Sequence, residues 1–91
     1  MLAPRLILVG QDGCAPCVRV RRLLTELHES GFSFELREVA FDSPEGLELA
    51  LRHNILYPPA VVLEGRLVAK GKVFAEDIRQ ALTVVGPSLA R

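Results

Sequence analysis

The sequence predicts one small α/β domain over residues 1–91, built in the order β-α-β-α-β-β-α. Two observations predict this class. Short apolar runs of strand length alternate along the chain with segments of helical periodicity, which is the pattern of α/β proteins. The length of 91 residues, of which 49% are hydrophobic, allows one thin core and leaves no room for a second domain.

The first strand and the first helix have the clearest patterns. Residues 5–9 read Arg-Leu-Ile-Leu-Val, an apolar run ended by Gly10, which is typical of a central strand covered on both faces. From Cys14 to about Glu29 the period becomes helical, because four side chains share one stripe: Cys17, Val20, Leu24 and Leu27. Gly31 is expected to end this helix.

The second strand fits residues 33–39 and has a weaker pattern. Its alternation of apolar and polar residues fails at Glu38 and Val39. Such a break favours a strand at the edge of the sheet, or a β-bulge.

A short second helix is expected to follow this strand. Asp42 or Ser43 can cap it with Pro44 in its first turn, and the helix should end near His53 and Asn54. We expect three of its apolar side chains to face the core: Leu47, Ala50 and Leu51.

The sequence pattern of the C-terminal third predicts a hairpin followed by a last helix. Residues 60–63 and 66–70 are strand-like, and the Glu64-Gly65 dipeptide between them fits a two-residue turn. The last helix should run from about Ala75 to Val85, where Gly86-Pro87 stops it. Its inward stripe holds Ile78, Ala81, Leu82 and Val85.

Composition excludes several classes of function. The 11 basic side chains balance the 11 acidic ones, so no net field attracts nucleic acid or an anionic membrane surface. No apolar run approaches the length of a membrane span, and the run Leu6–Val9 lacks the features of a signal peptide. Two cysteines are too few for a disulfide scaffold. We therefore expect the protein in the reducing cytoplasm. We also expect a monomer.

The two cysteines carry the chemistry of the sequence. Cys14-Ala15-Pro16-Cys17 directly follows a buried strand and begins a helix. The unpaired N–H groups and the dipole of a helix N-terminus should lower the pKa of Cys14 from about 8.5 towards roughly 3.5 to 7.5. Cys14 is then the nucleophile. Cys17 follows Cys14 by one helical turn and belongs to the apolar stripe. It is therefore placed to resolve a mixed disulfide on Cys14.

Other uses of the pair remain open from the residues alone. A structural bridge that closes so short a loop would contribute only about 2 kcal/mol to stability. A metal site would need two further ligands, and the only histidines are His28 and His53, whose spacing resembles no zinc finger. An iron-sulfur or metal-binding carrier and a noncatalytic adaptor stay as alternatives to redox chemistry.

The chain resembles the thioredoxin and glutaredoxin superfamily over about residues 5–85. The resemblance rests on the element order, the strand-CxxC-helix context, and Pro59 followed by a strand and a turn over residues 60–65. It implies a thioredoxin-like fold with a four-stranded mixed sheet, in the order 2-1-3-4, and helices on both faces. It also implies that Pro59 is a cis-proline packed opposite Cys14.

The resemblance further implies a thiol-disulfide oxidoreductase that reduces protein disulfides. Such proteins serve electron transport and cell redox homeostasis with no tightly bound cofactor beyond the redox-active disulfide. Glutathione or a flavin-dependent reductase would supply the electrons. Cys14, Cys17 and Pro59 would be catalytic, and the expected substrate-binding residues are Gly13, Ala15, Pro16, Tyr57, Pro58 and Gly71.

Three departures from the family pattern matter. The first strand lacks the buried acid of thioredoxins, and Asp12, the nearest carboxylate, is expected to be a solvated loop residue. Residues 69–73 do not match the glutathione-binding pattern of glutaredoxins, and resemble instead a segment of relatives that reduce protein disulfides. Pro58 has no N–H to pair with a substrate backbone, so one-sided pairing is expected.

Overall fold

The computed structural model describes residues 3–89, with side chains for residues 3–85. The elements follow the predicted order, and their bounds are β1 (Arg5–Gly10), α1 (Ala15–Glu29), β2 (Glu35–Ala40), α2 (Pro44–His53), β3 (Ala60–Leu63), β4 (Arg66–Lys70) and α3 (Ala75–Leu89). No helix in this part of the chain is long and apolar enough to cross a membrane.

The four strands form one mixed sheet in the order β2-β1-β3-β4, which confirms the expected order. β1 pairs in parallel with β2 and antiparallel with β3, and β3 pairs antiparallel with β4. The irregular alternation of β2 reflects its place at the sheet edge, where its pairing with β1 runs without a shift. The register shift of the sheet lies instead between Val61 and Val62, opposite β4.

The sheet separates two apolar clusters. Leu6 and Leu8 of β1 point towards α1 and α3, where they pack with Leu24 and Ile78 in the larger cluster. Val9 points to the opposite face, into the smaller cluster covered by α2. Burial of β1 on both faces explains why its apolar run is continuous.

The hairpin between β3 and β4 turns at Glu64 and Gly65, as predicted. Both residues have positive φ, 50° and 82° respectively, which is the backbone of a tight two-residue turn. Glycine adopts this conformation without a steric cost.

The inward face of α2 differs from the prediction. Leu47 and Leu51 are 51% and 86% exposed, whereas Gly46 and Leu49 are buried, and Ala50 packs against the smaller cluster as expected. The cause is a close approach of backbones. A Cβ at Gly46 would lie 2.0 Å from the carbonyl oxygen of Ala40. The helix therefore faces the β2–α2 connection with Gly46. In this orientation Leu47 and Leu51 point outward.

The end of α3 was also predicted wrongly, because the helix continues through Gly86-Pro87 to Leu89. Proline removes one backbone hydrogen bond but has a helical φ, so it weakens a last turn without forbidding it. The inward stripe is confirmed: Ile78 and Leu82 are buried, and Ala81 and Val85 pack against the larger cluster.

We expect Gly46→Ala to destabilise the protein. The new methyl group would overlap the backbone at Ala40, and so close an approach puts the cost at the upper end of the usual range, about 3 kcal/mol. This cost exceeds the gain of about 1 kcal/mol from helix propensity. Urea denaturation of the variant tests it, with Leu51→Ala on the exposed face of the same helix as the control, expected within about 0.5 kcal/mol of the parent. An unchanged midpoint for Gly46→Ala would contradict the close approach.

Candidate functional site

Cys14 and Cys17 form a disulfide at the N-terminus of α1, with their Cα atoms 5.2 Å apart. Cys14 is the N-cap residue and is partly exposed, whereas Cys17 lies in the first turn and has no exposed surface. This difference confirms the expectation that Cys17 is the more buried of the two. An incoming molecule can therefore approach Cys14 and not Cys17.

The helix start provides a backbone donor for the Cys14 sulfur. The Cys17 N–H donates a hydrogen bond to Cys14 Sγ over 3.1 Å. The first turn of α1 carries no acidic side chain that would oppose negative charge there. Gly13, with φ of 75°, makes the turn into the helix and is exposed, as are Ala15 and Pro16.

A second group of predicted residues lies at the same end of the sheet. Val9 pairs with Ala60, and Ala60 pairs with Lys70, so the next positions along these strands are neighbours. Those positions are Gly10, Pro59 and Gly71, and the Gly71 N–H donates to the carbonyl of Pro59 over 2.8 Å. Since α1 begins just beyond Gly10, the row formed by these three residues lies at the end of the sheet that carries Cys14.

The Pro58-Pro59 peptide bond is cis, as the resemblance implied. Pro59 is fully buried and Pro58 is partly exposed. Neither proline has an N–H, and the Gly71 N–H is already used within the chain. This stretch therefore has few backbone donors for a ligand.

Tyr57 covers Gly71. A side chain at Gly71, which has φ of 74°, would meet the Tyr57 hydroxyl oxygen at 3.2 Å. Together with Leu56 and Lys70 these residues line a small cavity of about 140 Å³. Tyr57 and Leu56 are 63% and 76% exposed, so they present apolar surface beside the cis-proline. The roles of Tyr57, Pro58 and Gly71 in substrate binding remain predictions.

A polar groove runs between α1 and β2 on the other side of Gly10. We call it the α1–β2 groove; it has a volume of about 280 Å³, and its lining includes Gly10, Asp12, Arg21, Glu38 and Asp42. Arg21 Nε donates to both carboxylate oxygens of Glu38, at 3.0 and 2.9 Å, and its Nη2 donates at 2.9 Å. Hydrogen bonding to Glu38 and the charge of Glu38 raise the pKa of Arg21, with a smaller contribution from Asp12. Arg21 is thus directed to β2.

The sequence analysis did not identify Gly10 or Glu38 as site residues. The failed alternation of β2 could have pointed to Glu38. Glu38 pairs with Leu8 of β1, and both residues lie on the face of the sheet that α1 covers. Asp12 is an exposed turn residue, as expected.

The described residues hold no group of three or more His, Cys, Asp or Glu side chains able to hold a metal ion. His28 meets the ring of Phe34 edge-on, with the ring centroids 5.5 Å apart. His53 is the last residue of α2, away from the disulfide in sequence. Neither histidine is placed with the cysteines as a ligand.

Comparisons with solved structures find similar folds. An uncharacterized thioredoxin-like protein from Clostridium perfringens matches with a TM-score of 0.73 and 20% identity, over 92% of this chain and 71% of that protein. Trxlp from Edwardsiella tarda matches with a TM-score of 0.64 and 23% identity, over 88% and 82% of the two chains. Oxidised mitochondrial thioredoxin 3 from Saccharomyces cerevisiae matches with a TM-score of 0.63 and 19% identity, over 92% and 80%.

These likenesses establish a thioredoxin-like fold for the chain. No protein-family model matches the sequence, and no curated protein sequence matches it. At such low identity the fold is shared, while the chemistry has to be argued from the site.

Proposed function

We propose that this protein is a thiol-disulfide oxidoreductase that reduces protein disulfides by cycling Cys14 and Cys17 between dithiol and disulfide. The observation that carries the proposal is the asymmetry of the pair. Cys14 is partly exposed and accepts a backbone hydrogen bond at a helix N-terminus, and Cys17 is buried one turn away. A nucleophile and a resolving thiol need these two environments.

The reaction follows from this geometry. In the reduced protein, the Cys17 N–H and the helix N-terminus favour a thiolate on Cys14. That thiolate attacks one sulfur of a substrate disulfide, forms a mixed disulfide and releases the first substrate thiolate. Cys17 then loses its proton and attacks Cys14 Sγ, which restores the bond seen in the structure and releases the second thiolate. Two electrons pass to the substrate, and each released thiolate takes up a proton.

The apolar surface beside the cis-proline supports a protein as the substrate. Leu56 and Tyr57 are 76% and 63% exposed there. Such apolar side chains contact a protein segment better than a small polar thiol. Glutathione or a flavin-dependent reductase would return the electrons. The missing glutathione-binding pattern at residues 69–73 favours the reductase, in a cytoplasmic monomer that serves redox homeostasis.

Trapping of the mixed disulfide tests the proposal. Cys17→Ser should accumulate a covalent adduct with a peptide disulfide, because the resolving thiol is missing, and Cys14→Ser should form none. Intact mass measurement of both variants reads the result, and circular dichroism checks that they fold. An adduct that forms equally on Cys14→Ser would reverse the assigned roles. Absence of any adduct would favour a noncatalytic adaptor.

Pro58→Thr should tighten the binding of an extended peptide disulfide. The threonine restores an N–H beside the site, and one added hydrogen bond of about 1 kcal/mol lowers KM roughly fivefold. Bis(2-hydroxyethyl) disulfide, which has no peptide backbone, serves as the control substrate, and its KM should not change. If KM for the peptide also stays at the parent value, backbone pairing at position 58 plays no part in binding.

A further inference from the structure

The resolving thiol has no base within the core. Cys17 has no exposed surface, and among the described residues no polar or charged side chain is buried. A thiol in apolar surroundings holds its proton more tightly than one in water, yet only the thiolate can attack the mixed disulfide. Its proton must therefore leave through the boundary of the core.

Gly10 forms that boundary. A methyl group placed on Gly10 would lie 3.6 Å from Cys17 Cβ and 3.7 Å from Cys17 Sγ, so only the glycine hydrogen faces this side of the thiol. Gly10 also lines the α1–β2 groove. Gly10, which has no side chain, therefore adjoins both the groove and the buried Cys17 sulfur.

Glu38 is the best-fixed carboxylate in this groove. It lies on β2, and its two oxygens accept three hydrogen bonds from Arg21 of 2.9 to 3.0 Å. Arg21 follows Cys17 by one helical turn, which places the ion pair along the same side of α1. Asp12 and Asp42 also line the groove but lie in connecting turns.

We propose that Glu38 receives the proton of Cys17 through water in the α1–β2 groove, and that Gly10 keeps this route open. The proposal rests on the function proposed above. In the resolving step, the Cys17 S–H bond breaks and its proton passes to a Glu38 oxygen. The Cys17 sulfur bonds to Cys14 Sγ, and the bond between Cys14 and the substrate breaks with its electron pair on the substrate sulfur. Arg21 acts as a positioning residue that holds Glu38.

The pH dependence of the resolving step tests this route. Single-turnover quenched-flow with a peptide disulfide, read by intact mass, separates formation of the mixed disulfide from its resolution. We expect Gly10→Ala and Glu38→Gln to slow resolution at pH 7 by about tenfold or more. A tenfold loss is smaller than the full rate contribution of a general base. Their resolution rates should then rise as the pH passes through the pKa of a free thiol, about 8.5. Formation of the mixed disulfide should keep its parent rate.

Asp42→Asn is the matched control, because it removes one negative charge from the same groove, and it should keep the parent pH profile. The alanine methyl at position 10 makes only ordinary van der Waals contacts, so Gly10→Ala should fold. A Glu38→Gln variant with the parent resolution profile overturns the proposal, as does an Asp42→Asn variant that is slowed equally. Failure of the proposed function would show itself separately, as absence of a mixed disulfide in the parent and in Cys17→Ser.

Discussion

The pairing of β1 on both of its edges is the constraint on which the site depends. Its parallel partner β2 and antiparallel partner β3 fix β1 in the middle of the sheet, and apolar side chains cover both of its faces. With β1 held in this way, its last residue, Gly10, has β3 beside it and the start of α1 beyond it. The disulfide and the cis-proline therefore reach one end of the sheet from sequence positions more than forty residues apart.

The start of α1 then gives the two cysteines different environments. Cys14 occupies the N-cap, where its sulfur meets a backbone N–H and can be approached from outside. Cys17 joins the buried stripe of α1, where it has no exposed surface and Gly10 is its neighbour. The two chemical roles that we propose for the motif rest on this difference of one helical turn. The charged groove between α1 and β2 reaches Gly10, the neighbour of the buried thiol, and no charged side chain of the described residues is buried.

The sequence predicted the elements that follow from strong periodicity or from turn chemistry. β1, the hairpin at Glu64-Gly65 and the stripe of α1 were predicted correctly, because burial and backbone conformation there are set by adjacent residues. The outward rotation of Leu47 and Leu51 could not be predicted in this way. It depends on a contact between Gly46 and the backbone of Ala40, which periodicity does not encode. The ion pair of Glu38 with Arg21 likewise needs the pairing of β2 with β1.

The measurement that tests the central claim most directly is an equilibrium redox titration of the Cys14–Cys17 pair. The full chain is equilibrated in glutathione buffers of graded potential, alkylated and weighed intact. A dithiol reductant should show a single two-electron transition with a midpoint at or below about −230 mV. A midpoint near about −180 mV would contradict the reductive direction and indicate an oxidant or isomerase. A pair that stays reduced over the whole range would contradict the redox assignment itself.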